Sequence, residues 1–219
     1  MRPSAQRLAQ AVAAGIDTIG QIRILTGRPE AAYGLCHLDD IARIDDPSAN
    51  LERVTDPAES RRLSTYAADG TYRFTKGQLN LQGGWLMLLE DADALLAALD
   101  GFYPASVALW LAQQDGRLHV LTLRDKLARQ TGMYRFAKNI SDAGAQQLIQ
   151  TVCGPSNQCV KHILWPISPD VPLEDSEASR FRGVLAGIDP ARAIPMVCQE
   201  ACNHFVAEAR KVSKAEAGV

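Results

Sequence analysis

Three observations predict an α+β fold in two small domains for this 219-residue chain. Helix-period and strand-length apolar segments are interleaved without an internal repeat, a Gly-x-x-Pro turn at Gly101–Pro104 separates two periodic stretches, and four of the five cysteines fall in the last third. With 47% apolar and 22% charged residues the composition is that of a chain with a packed core, and it excludes disorder, collagen and coiled coil. Lys and Arg number 23 against 25 Asp and Glu, a formal net charge of −2. Nothing therefore draws the chain at long range to nucleic acid or anionic lipid, and neither is expected as a partner. The longest apolar runs, such as Trp85–Leu89, fall far short of the ~18 residues that a membrane span needs.

The elements follow in order. Ser4 as N-cap, Leu8 and Val12 one turn apart, and Gly15 as the stop predict an amphipathic first helix. Gln6 and Gln10 interrupt its Ala-rich stretch, so it lacks the continuous apolar core of an export signal, and a cytoplasmic location is expected. Gln21–Leu25 and Tyr33–Leu38 have strand length, with Gly27-Arg28-Pro29 as the break. Asp56 followed by Pro57 predicts a capped helix through Leu63 and Tyr66 to a stop at Gly70. Gly83-Gly84 introduces a buried strand at Trp85–Leu89, and Asp91–Asp100 is helical, with Leu95, Leu96 and Leu99 on one face and Gly101 as its end. These elements make a first domain of residues 1–103.

The second domain takes residues 104–219. Pro104–Gln113 is expected to be a helix carrying Val107, Trp110 and Leu111, and Arg117–Leu123 a strand after the Asp115-Gly116 turn. Ser141 caps a helix whose apolar face includes Leu148, Ile149 and Val152 and which delivers Cys153 at its end. A turn at Gly154–Asn157 then brings Cys159 back toward Cys153. Prolines between Pro166 and Pro195 predict a surface excursion, and Val197–Ser213 is expected to be the last helix, with Cys198 and Cys202 one turn apart on one face.

Five cysteines in a chain with no secretion signal make a poor disulfide framework. Cys153, Cys159, Cys198 and Cys202 can converge on one metal centre if the excursion folds back. Structural zinc sites place ligands two to four residues apart within each knuckle, whereas Cys153-x5-Cys159 is wider and Cys198-x3-Cys202 falls within a helix. A four-iron cube tolerates less regular spacing, so the spacing favours a 4Fe-4S cluster, with a zinc-stapled interaction domain as the alternative. Such a cube with four thiolates carries a net charge of about −2 and needs donors and cations around it. The first turn of the last helix supplies N–H groups to Cys198. Arg124, Arg129, Arg135 and Lys138 precede the Cys153 helix, and Lys161 follows Cys159. Arg129, Arg135 and Lys161 are the candidates to donate hydrogen bonds to the cluster's sulfurs, although each also reads as an ordinary solvated cation.

Other residues have plainer readings. Cys36 and His37 lie in a strand, point to opposite faces and cannot easily share a metal, so Cys36 reads as a buried structural thiol. Asp39-Asp40 and Asp45-Asp46 read as solvated or capping carboxylates ahead of a hard-cation site. Glu200 and His204, one turn apart on the last helix, read as a surface pair or as donors behind the thiolates. Met133 and Trp165 suit either core packing or shielding of a cluster. No Gly-rich phosphate loop, nucleophile elbow or Ser/His/Asp set is present, so no catalytic residue is assigned.

The run Arg129-Gln130-Thr131-Gly132-Met133-Tyr134-Arg135 is followed by Cys153-x5-Cys159, then His162-Ile163-Leu164-Trp165, then Cys198-x-Glu200-Ala201-Cys202-Asn203. Together these resemble the iron–sulfur domain at the carboxy-terminal end of the large CbiX-type sirohydrochlorin cobaltochelatase-like proteins. Tyr33-Gly34-Leu35-Cys36-His37 and Asn80-Leu81-x-x-Gly84-Trp85 are similar to the companion stabilising domain of those proteins. The resemblance implies a 4Fe-4S cluster held by Cys153, Cys159, Cys198 and Cys202, with the second domain wrapped around it and the first bracing the second. It implies a redox, electron-transfer or accessory role linked to tetrapyrrole or metal-cofactor metabolism, with a chelatase or redox protein as partner. The chelatase domain of the large proteins has no matching stretch here, so metal insertion is not expected of this polypeptide alone.

Overall fold

The computed structural model describes residues 1–65, 81–130, 132–153, 161–163, 165–168, 189–199 and 201–218. Helices and strands are mixed along the chain, an α+β architecture as expected. Two compact units emerge, Met1–Arg117 with Gly187–Met196, and Leu118–Ala186 with Val197–Val219. A single boundary at residue 103 does not anticipate the second visit of the chain to the first unit.

The strands are β1 (Thr18–Ile19), β2 (Ile22–Arg28), β3 (Ala31–His37), β4 (Glu52–Val54), β5 (Trp85–Leu89), β6 (Lys161–His162), β7 (Ala193–Ile194) and β8 (Met196–Val197). Six of them form one sheet in the order β4-β5-β3-β2-β1-β7, and β6 pairs with β8 in a separate ribbon. The β2–β3 hairpin pairs Arg28 with Ala31, which leaves Pro29-Glu30 as the turn and lengthens both strands beyond the sequence expectation. All five residues of β5 are buried, as its unbroken apolar run predicts. Register sets Leu35 beside Met87 and Cys36 beside Leu86, so alternate residues serve opposite faces. On one face Trp85 stacks on Phe102 at 4.9 Å; on the other Cys36, Leu86 and Leu88 pack with Ile44.

The helices of this unit are α1 (Pro3–Ala13), α2 (Ser60–Thr65), α3 (Ala92–Phe102) and α4 (Ser106–Gln114). The sequence reading of Ser4 as the first cap is corrected: Pro3 occupies the first turn, and Arg2 precedes it without a side-chain cap. Arg2 is engaged elsewhere, with its Nε 2.9 Å from Asp93 Oδ1 on α3. Asp56 accepts from Ala58 N at 2.9 Å, the cap that the sequence shows, and Asp91, expected within the helix, instead caps it by accepting from Ala94 N at 2.8 Å. Gly101 does not stop α3. A Cβ there would lie 1.9 Å from Ser60 Oγ, so the glycine serves the close approach of α2, and α3 runs on to Phe102. Tyr66, Gly70 and Asn80 lie outside the described residues.

Residues 189–196 return to this unit after the second one is under way. β7 pairs parallel to β1, Asp17 N donates to the Arg192 carbonyl at 2.9 Å, and the Asp17 carboxylate pairs with both Arg23 and Arg192. The return is thus anchored by backbone and by charge.

The second unit is built from α5 (Leu123–Ala128), α6 (Asp142–Leu148) and α7 (Asn203–Glu216) around a core that includes Leu127, Met133, Ile149, Trp165 and Phe205. Two expectations fail here. Residues 117–122 form no strand: Thr122 Oγ1 accepts from Asp125 N at 3.2 Å, and this local cap starts α5 where the alternation suggested a strand. The last helix starts at Asn203, because Met196–Val197 is held in the β6–β8 ribbon and Cys202 is extended. Among the described residues no single helix is long and apolar enough to cross a membrane.

Candidate metal centre

Cys153 owes its position to a clamp between two helices. Ser141 caps α6 by accepting from Gly144 N at 3.0 Å, and it also donates to the far end of α7, through Oγ to Glu216 Oε1 and through N to Glu216 Oε2, both at 2.6 Å. α6 then widens into a π-type turn over Ile149–Cys153 and ends with Cys153 in the core, as its capped apolar pattern predicts. Cys153 is 8% exposed.

Cys198 follows β8 directly, is half-buried and packs against the same core. Cys202 is exposed and caps α7, with its Sγ accepting from Phe205 N at 3.4 Å. Cys198 and Cys202 therefore do not share a helical face. The positive end of the helix, which the sequence reading assigned to Cys198, belongs to Cys202 instead. Ala201 and Phe205, on either side of Cys202, are buried in the core that holds Cys153. Cys159 lies outside the described residues, as do Glu200, Thr131, Leu164 and the Gly154–Asn157 turn. Among the described residues no three His, Cys, Asp or Glu side chains are grouped to hold a metal ion.

The donor set nevertheless has a definite chemistry. Cys153 lies in the apolar core, Cys198 packs against it and Cys202 caps α7 between two of its residues, the carboxylates of α6 and α7 are committed elsewhere, and soft sulfur ligands select iron–sulfur clusters or zinc over hard cations. An apolar surround with an N–H already directed at sulfur suits a group whose charge must be screened from water, so the residues present fit a cluster.

The candidate cations take different positions. Lys161 is half-buried on β6; Arg129 is exposed at the end of α5; Arg135 is exposed, with its guanidinium 5.3 Å over the Tyr134 ring. Arg124 pairs with Asp142 and donates to the Ile140 carbonyl at 2.8 Å. Lys126, which the sequence reading passed over, stands 5.7 Å over Trp165, itself edge-on to Phe205 at 6.4 Å. No local pattern marks that pair, since its members lie on separate segments of the chain. Met133 and Trp165 are both buried in the Cys153 core, and His204 is exposed on α7.

In the first unit Cys36 is fully buried, and burial pushes its thiol up to about 12, with the Asp40 charge adding to the effect. His37 faces the other way, and its Nδ1 accepts from Asp39 N at 3.1 Å, so the two share no metal. Asp45 pairs with Arg28 and Asp46 accepts from Ser48 N, the plain roles expected of them. In native protein at pH 8, Cys36 is expected to resist a thiol reagent and to react at the rate of a free thiol only on unfolding. Mass mapping of the labelled peptide checks this, and native-state labelling of Cys36 would contradict it.

Comparison with known proteins gives two family matches. Residues 4–114 match the DR2241 stabilising domain, and residues 115–211, which include Cys153, Cys159, Cys198 and Cys202, match the 4Fe-4S iron–sulfur cluster binding domain. A solved structure, that of DR2241 from Deinococcus radiodurans, is described as a multi-domain protein with structural similarity to chelatases and two additional novel domains. It is similar at a TM-score of 0.65 and 22% identity, over 98% of this chain and 42% of that one. The likeness is one of fold, and this chain spans under half the length of that protein. A search among curated proteins finds no match. The stabilising-domain match covers just over half of the 219 residues, and the chain belongs to that DR2241 stabilising domain family.

Proposed function

We propose that the second unit holds a 4Fe-4S cluster on Cys153, Cys159, Cys198 and Cys202, and that it serves as a redox module in tetrapyrrole or metal-cofactor metabolism beside a chelatase partner. What supports this reading is that Cys153 lies in, and Cys198 packs against, one apolar core whose Ala201 and Phe205 flank Cys202 in sequence, within the stretch matched by the cluster-binding family. When bound, the cluster supplies one-electron chemistry at a potential set by its surroundings. The protein's part is to bury Cys153, to offer the first N–H groups of α7 at Cys202, and to exclude water with Trp165, Phe205 and Met133. Lys161 is the candidate to donate a hydrogen bond to sulfur. Four thiolate ligands leave no coordination position for a substrate, which favours electron transfer over conversion of a substrate at iron. The likeness to a chelatase-like protein supports the link to a chelatase.

Anaerobic purification tests the reading. About four irons and four acid-labile sulfides per chain, with a brown absorbance that dithionite bleaches, are expected. One zinc per chain with no sulfide would overturn it in favour of a zinc-stapled interaction domain.

A further inference from the structure

One face of the second unit concentrates positive charge. Between Arg129 and Lys138 the chain holds three cations and no carboxylate. Arg129, Arg135 and Lys138 are exposed, while Met133 and Ala137 of the same stretch are buried in the core that holds Cys153. α7 runs alongside: Ser213 Oγ donates to the Phe136 carbonyl at 3.0 Å, and a Cβ on Gly132 would lie 3.6 Å from Arg210 Nη2. Lys214 lies one turn beyond Arg210 and extends the same flank. Among the described residues Arg129, Arg135, Lys138 and Lys214 stand in no ion pair, whereas Lys211 is held by Glu208 at 2.7 Å. Tyr134, 60% exposed, sits amid these cations under the Arg135 guanidinium.

The chain as a whole is slightly acidic, so this face is local. A long polyanion would meet repulsion from the rest of the surface, while a compact acidic protein could match the face alone. Exposed Tyr and Arg side by side are the residue types that carry binding energy at protein interfaces. Met133 joins this stretch to the Cys153 core, so a partner seated here would lie against the core proposed to shield the cluster.

Resting on the redox reading above, we propose that this face docks the acidic surface of a small one-electron carrier protein. The probe is an oxidised plant-type ferredoxin, titrated into the full chain at low and at physiological ionic strength by isothermal calorimetry, with iron and sulfide measured on every sample. Saturable binding is expected that weakens about tenfold or more between roughly 20 mM and 200 mM salt. Lys138→Glu and Lys214→Glu are each expected to weaken it about fivefold at unchanged iron content, while Arg61→Glu, an exposed cation of the first unit, shifts it by less than about twofold. Absence of binding, equal weakening by Arg61→Glu, or tighter binding of a single-stranded oligonucleotide would overturn the proposal. Ferredoxin binding with this pattern in protein that carries no sulfide would support the docking face and remove the redox reading.

Discussion

Cys153→Ser is expected to remove most of the iron and sulfide and to destabilise the second unit by on the order of 3–5 kcal/mol. Two effects combine. Serine's oxygen is a harder and less acidic donor than a thiolate, so one corner of the proposed cluster loses its ligand. Serine is also smaller than cysteine and more costly to bury, so the substitution leaves a void and a more polar group in the core that Cys153 shares with Trp165, Phe205 and Ile149. Metal binding and folding are coupled, so both losses fall on the same transition. The same substitution at Cys36 is expected to leave iron and sulfide unchanged, since that thiol belongs to the other unit and lies in its sheet. Metal analysis together with chemical denaturation checks both. Full iron and sulfide in Cys153→Ser, or their loss in Cys36→Ser, would show that the ligand set is wrongly assigned.

Asp40→Ala is expected to destabilise the first unit by about 2–4 kcal/mol. Asp40 is a buried carboxylate with one oxygen 2.6 Å from Arg43 Nη1 and the other accepting from Gly84 N at 2.5 Å. The chain just before β5 is held against it so tightly that a Cβ on Gly83 would stand 2.5 Å from Oδ2. Alanine leaves the Gly84 N–H without its acceptor and opens a small cavity. Arg43, about half exposed, returns to water, so most of the cost comes from the amide and the void. Asp40→Asn keeps an oxygen for Gly84 but turns N–H groups toward Arg43, and about half the loss is expected. Urea unfolding of the three proteins orders them; wild-type stability in Asp40→Ala would mean that Gly84 finds another acceptor.

What the sequence by itself determined is local. The caps at Asp56 and Ser141 are legible because each side chain bonds a backbone N–H within three residues, and such bonds form whatever lies elsewhere in the chain. The buried strand Trp85–Leu89 is legible because an apolar run of that length has nowhere else to go, and the α+β class follows from the interleaving of such segments. The sulfur donor set, too, is a matter of residue identity. Only the tertiary structure decided the rest. Gly101 resembles a helix stop until Ser60 is seen against it; residues 193–194 acquire their place from β1 and Asp17, far back in the chain; and α7 starts at Asn203 because the ribbon claims residues 196–197. Each of these depends on a partner remote in sequence, and the free energy of such a contact resides in a pair of positions that no single stretch contains.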